Sequence, residues 1–146
     1  AAPVVARVSA EACKLEGNAK LIAGEDRAAS DCYEQGIQAA ICEGLSGGRL
    51  LSQLRSGKAQ ALLRLGDAEA AFKCCAEAVA NDPLNGKAYW RGATAAMKLD
   101  RPKKAAEFCR QGLASVGESA ALRGLLEEAE TALALGAAAP PQSVAA

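Results

Sequence analysis

The stretch "LSQLRSGKAQALLRLGDAEAAFKCCAEAVANDPLN", residues 51–85, decides the fold. Its first half, "LSQLRSGKAQALLRL", is rich in good helix formers and stops at Gly66-Asp67. Its second half, "AEAAFKCCAEAVA", runs into "NDPLN", where Pro83 cannot continue a helix. Gly after one helix and Pro after the next are ordinary stop signals, so the stretch predicts two helices around a tight turn. Small residues at Ala59, Ala71 and Ala78 let the pair approach closely, while Leu62, Phe72 and Val79 fill the gaps between neighbours.

The same unit recurs on both sides. Shifted by 34, residues 52–85 fall on 86–119, aligning Ala59 with Ala93, Ala61 with Ala95, Leu65 with Leu99, Ala71 with Ala105 and Cys75 with Cys109. Shifted by 42, residues 10–43 fall on 52–85, aligning Ala19 with Ala61, Gly24 with Gly66, Ala29 with Ala71 and Cys32 with Cys74. The extra eight residues fit "CEGLSGGR" (42–49), whose Gly/Ser composition reads as an inserted loop. In the third unit "LDRP" stands where the turn glycine is elsewhere. From Ser119 to about Leu135, the residues Leu122, Leu125, Leu126, Ala129 and Leu133 follow helical spacing. Such a helix would cover the open apolar end of a stack of repeats, as the last unit of a solenoid must be covered.

Composition narrows the chemistry. The 146 residues suit one domain, half apolar but mainly through Ala, with only five aromatics. Charges balance at 17 against 17, yet from Lys87 to Lys104 six cations meet the single Asp100. No histidine is present, which removes the commonest general base and metal ligand. The six cysteines show no C-x-x-C pair or zinc spacing, so they read as reduced, small apolar residues of an intracellular protein. Cys74-Cys75, at the register of Cys32-Tyr33 and Phe108-Cys109, is assigned to core packing. No apolar run is long enough to span a membrane, and neither end resembles a secretory signal. Residues 1–9 and 136–146 read as a linker or extension and a flexible tail around a 10–135 domain cut from a longer protein.

These features together resemble the tetratricopeptide repeat, a 34-residue helix–turn–helix with a small residue in the first helix, Ala-x-x-x-aromatic in the second and Pro at the end. Ala29-x-x-x-Tyr33 fits fully, whereas Ala71-x-x-x-Cys75 and Ala105-x-x-x-Cys109 replace the aromatic with Cys. The resemblance implies an all-α, right-handed helical-hairpin solenoid of three repeats (about 10–43, 52–85 and 86–119) and a C-terminal capping helix (about 119–135). The first helices of such repeats line a concave groove.

"KLEGN" (Lys14, Asn18) and "KAYWR" (Lys87, Arg91) are similar to the dicarboxylate clamp of chaperone-binding members of that family. The resemblance implies that these four residues grip the terminal Asp of the Glu-Glu-Val-Asp tail of the seventy- and ninety-kilodalton heat-shock chaperones. The chemistry suits them. A C-terminal Asp carries two carboxylates, which Arg binds bidentately, Lys as a point charge and Asn as a directed donor. A ligand would also explain why Lys87 lies in the first turn of its helix, where the dipole disfavours a cation by about 0.3–1 kcal/mol.

The family has a second Asn where this chain has Gly57. Gln53 and Gln60 lie about one turn either side of it and Lys58 is adjacent, so one of these is expected to reach the ligand. The other readings are that the site is weakened, or is retuned to another acidic tail. Under the clamp reading, Gly57→Asn is expected to raise the affinity. Tyr89 and Trp90 are expected to pack between helices, with Trp90 bordering the groove, and "KLDRPKK" to be a solvated turn. The alternative is a scaffold without a working clamp, binding an internal segment of a partner. No enzyme, cofactor, nucleic-acid or membrane function is expected, and the setting expected is a cytoplasmic monomer.

Overall fold

A computed structural model describes residues 9–45 and 47–138. Among these residues seven helices follow in chain order: α1 (Ala10–Ile22), α2 (Asp26–Cys42), α3 (Arg49–Arg64), α4 (Ala68–Asn81), α5 (Gly86–Lys98), α6 (Pro102–Val116) and α7 (Ala120–Ala138). There is no strand among the described residues. The helix pairs fall on the three units read from the sequence. α7 continues through Ala138, three residues into the expected tail, and the expected 1–9 extension lies outside the described residues apart from Ser9.

Local chemistry sets the boundaries. Ser9, Asp67, Asn85 and Ser119 each accept a hydrogen bond from the backbone N–H three residues on, capping α1, α4, α5 and α7. Pro102 opens α6, where its missing N–H removes no helical bond. The turn inside each repeat is the same. The Glu25, Asp67 and Arg101 N–H groups reach back to the Lys20, Leu62 and Ala96 carbonyls at 2.9, 2.9 and 2.8 Å. Its positive φ falls on Gly24 and Gly66, and in the third repeat on Asp100 (φ 56°), a residue type that tolerates this region.

Each helix packs on the next, and the backbones of α1, α3, α5 and α7 also approach one another in succession. Those of α2, α4 and α6 stand farther apart, α4 and α6 meeting through the edge-on rings of Phe72 and Phe108 with centroids 5.2 Å apart. A layer whose backbones come closer is the inner side of a curved stack, so the first helices form the concave wall. Ala29, Ala59, Ala71, Ala78, Ala93 and Ala105 are completely buried between them, as close approach requires. Tyr33, Cys75 and Cys109, at one register of the three repeats, are buried too. Desolvation pushes the Cys75 thiol up to about 12 and that of Cys109 to about 11, so both act as small apolar groups. Leu122, Leu126 and Ala129 of α7 are buried and close the stack.

Candidate functional site

Lys14 and Asn18 lie one turn apart on α1, and Lys87 and Arg91 one turn apart on α5. Residues four apart share a helical face, and the curl of the inner layer turns both faces into one space. That space is a cleft of about 220 Å³, walled by these four residues together with Gln53, Ser56 and Gly57 of α3 and Tyr33 of α2.

The cations are held differently. Lys14 pairs with Glu11 at 2.8 Å and donates to Gln53 Oε1 at 3.2 Å. Arg91 donates through Nη1 to the Ser56 carbonyl at 3.0 Å and the Ser56 hydroxyl at 2.8 Å. Burial pushes its guanidinium below the ordinary value, partly offset by Cys75 and Tyr33. Neither Arg91 nor the exposed Lys87 has an acidic partner within ion-pairing distance among the described residues. A partly desolvated guanidinium held by neutral acceptors is chemically suited to receive an anion, since its remaining N–H groups have no counter-charge among the described residues.

The position of Gly57 has a packing reason. Tyr33 reaches from α2 between α1 and α3, and its ring occupies the space that side chains at 17 and 57 would fill. A Cβ at Gly57 would stand 2.6 Å from Tyr33 Cε1 and Cζ, and one at Gly17 would stand 2.8 Å from Cε1. The phenol then donates to Asn18 Oδ1 at 2.5 Å. Its pKa is raised by burial, against the opposing effect of Arg91. This packing argues against the expectation that Gly57→Asn raises the affinity: an added side chain meets a buried ring before it meets a ligand.

Of the three suggested substitutes, Gln53 lines the cleft and Gln60 lines the next one. Lys58 does neither. One residue on from Gly57, it is rotated by about 100° around α3. It points into a separate cleft between α2 and α4, pairing with Glu34 at 2.7 Å. Burial alone would raise the Glu34 pKa, but hydrogen bonds from Lys58 and Gln38 outweigh it and the net shift is downward. Lys58 is therefore removed from the groove contacts.

The cleft opens on both sides. Lys87, Arg91 and Leu21 are shared with a more apolar cleft of about 530 Å³, bounded by Trp90, Val116 and Leu122. Trp90 is 40% exposed there, whereas Tyr89 is buried against Phe108 with ring centroids 6.4 Å apart. Gln53 and Lys87 are shared with a third cleft of about 730 Å³, which also holds Arg49 and Asn81. The run "KLDRPKK" lies at the surface, its Arg101 paired with Glu69 at 3.1 Å. The sequence reading missed the roles of Ser56 and Tyr33; Ser56 shares the register of Lys14 and Trp90, and that register was the available signal.

No family model matches the chain, and no curated protein does. Solved structures do match. The first TPR of Spaghetti (RPAP3), bound to the HSP90 peptide SRMEEVD, superposes with a TM-score of 0.77 at 26% identity, covering 89% of this chain and 97% of that one. The Sgt2 TPR domain from Aspergillus fumigatus gives 0.77 at 26%, covering 90% and 85%. The second TPR domain of human RPAP3, in complex with the HSP70 peptide SGPTIEEVD, gives 0.73 at 25%, covering 83% and 94%. The chain thus has the helical-solenoid fold of tetratricopeptide-repeat domains and is similar to those of co-chaperones. No described helix is long and apolar enough to cross a membrane.

Proposed function

We propose, from a fold shared with co-chaperone tetratricopeptide domains, that this chain is a peptide-binding module for the free, acidic C-terminus of a heat-shock chaperone of the seventy- or ninety-kilodalton class. The observation that carries the reading is the pair Lys87 and Arg91, cations without acidic partners among the described residues, facing Lys14 and Asn18 across one cleft. Lys14 and Lys87 supply point charges to the two terminal carboxylates. Arg91 offers the N–H groups that Ser56 leaves free, and Asn18 a directed neutral donor. Hydrogen bonds to charged groups contribute about 1.5–3 kcal/mol each, so three or four support micromolar binding after ordering costs. Residues preceding the terminal Asp lie along the apolar cleft beside Trp90 and Val116.

The role is recognition, without catalysis or a cofactor, and the setting that fits both partner and free thiols is the cytoplasm. The scaffold alternative drew its support from Gly57, and the Tyr33 ring supplies a packing reason for that glycine.

The test compares, by calorimetry, a peptide ending Glu-Glu-Val-Asp as the free acid with its C-terminal amide. Removing one carboxylate removes at least one charge-assisted contact, so the amide is expected to bind about tenfold or more weakly. Equal affinities exclude a clamp on the chain terminus. Loss of binding in Lys87→Ala with an unchanged melting temperature supports the same reading, and unfolding of that variant would make Lys87 structural.

A further inference from the structure

The phenol of Tyr33 sits at the floor of the cleft, at the end of a side chain only 1% exposed. The ring is fixed from both sides. Its Cε1 and Cδ1 would lie within 2.8 and 2.9 Å of a Cβ at Gly17, and its Cε1 and Cζ within 2.6 Å of one at Gly57. Only two glycines on neighbouring first helices leave a slot of that width, so the hydroxyl has little freedom to move. Its one acceptor among the described residues is Asn18 Oδ1, at 2.5 Å.

That bond has a chemical consequence for Asn18. A carboxamide carries an acceptor at one end and two donors at the other. A side chain free to rotate could present either to a bound carboxylate, and the carbonyl end would repel it. With Oδ1 committed to the phenol, Nδ2 is the end left for the cleft. The reverse orientation would put an N–H against the phenol oxygen and leave the phenol proton without an acceptor in a buried slot.

We infer that Tyr33 is a positioning residue: it locks the Asn18 carboxamide with its N–H donors toward the ligand, through a ring held between Gly17 and Gly57. The inference rests on the carboxylate-binding reading above. It also gives Gly57 a role, because the residue that would otherwise bring its own amide is replaced by space for a ring that orients another amide. Tyr33 acts on the ligand only through Asn18.

The test is a double-mutant cycle with Tyr33→Phe and Asn18→Ala, titrated with the free-acid Glu-Glu-Val-Asp peptide. Tyr33→Phe keeps the ring in its slot and removes the hydroxyl. It is expected to weaken binding about three- to tenfold, the ordinary worth of one oriented hydrogen bond, with the melting temperature nearly unchanged. In the Asn18→Ala background the same change is expected to cost less than about twofold, because neighbouring sites that act as a unit are not additive. Wild-type affinity in Tyr33→Phe, or an equal loss in both backgrounds, overturns the inference. A second readout needs no ligand: the two side-chain amide protons of Asn18 keep distinct, dispersed resonances in the free wild-type protein and collapse toward solvent values in Tyr33→Phe. Unchanged resonances also overturn it. Failure of the parent reading shows separately, as a wild-type protein that does not tell free acid from amide.

Discussion

Replacing Gly57 by Asn restores the donor that a sequence comparison finds missing, and the structure predicts that the variant is worse. The new Cβ would stand 2.6 Å from two atoms of the Tyr33 ring. Carbon atoms settle at about 3.5–4.0 Å, so the ring must retreat by about 1 Å. Gly17 leaves it little room to do so, because the ring lies close enough to that residue for a Cβ there to stand only 2.8 Å away. Forcing extra atoms into a packed site costs about 1–3 kcal/mol. Leaving glycine in a helix recovers about 0.3 kcal/mol when Asn replaces it. A net loss of about 1–2.5 kcal/mol corresponds to a melting point lower by roughly 3–12 °C for a domain of this size. Peptide affinity falls with it, because a displaced phenol no longer orients Asn18. Far-ultraviolet circular dichroism melts give the first quantity and calorimetry with the free-acid peptide the second. Gly57→Ala is the control: it adds the same Cβ, recovers about 1 kcal/mol of helix propensity and brings no donor. A Gly57→Asn protein that melts like wild type and binds more tightly refutes the packing argument and restores the simpler expectation.

Arg91→Lys keeps the charge but cannot hold both Ser56 acceptors and still present a fork to the ligand, so calorimetry is expected to show an affinity loss of about tenfold or more with the fold intact. Glu34 has a folded pKa below its ordinary 4.5, so its contribution is present above that pH and is lost as pH falls through the folded value. Melts taken from about pH 5 down to about pH 3 are expected to fall more steeply in wild type than in Glu34→Gln, by a small margin because this pair is partly solvent-screened. Lys58→Ala, at the other end of that ion pair, is expected to change peptide affinity by less than about twofold, since binding shifts that small lie below one hydrogen bond. With a thiol reagent at mildly alkaline pH, exposed Cys42 is expected to react first, and buried Cys13, Cys75 and Cys109 only after denaturant is added; rapid modification of Cys75 in the folded protein would contradict its packing.

The repeat was legible because its evidence is redundant. Gly24, Gly66 and Asp100 close three copies of one hydrogen-bonded turn, and small residues at matching positions let three helix pairs approach alike. Any single alignment in an Ala-rich chain is weak, but the copies constrain one another. The four residues of the proposed clamp were legible through the resemblance to a known family, and the spacing agrees with it. Each pair is four apart on one helix, and the repeat period carries both pairs to the same wall.

What the sequence concealed depends on angle and on absence. Lys58 adjoins Gly57 in the chain, yet one helical step turns it onto Glu34 of the outer layer, while Gln53, four residues before Gly57, stays in the cleft. Gly57 read as a lost donor because a sequence records what a residue lacks and is silent on what fills its space. The filling residue, Tyr33, comes from a different helix 24 positions earlier, where it had been counted only as a repeat signature. A carboxylate receptor needs donors that are aimed as well as present. Charge can be read along the chain, but the aim of Asn18 depends on a ring from α2 entering between α1 and α3. A site of the kind proposed here is therefore half visible from sequence: the cations that would attract the ligand show, and the packing that would orient the neutral donor does not.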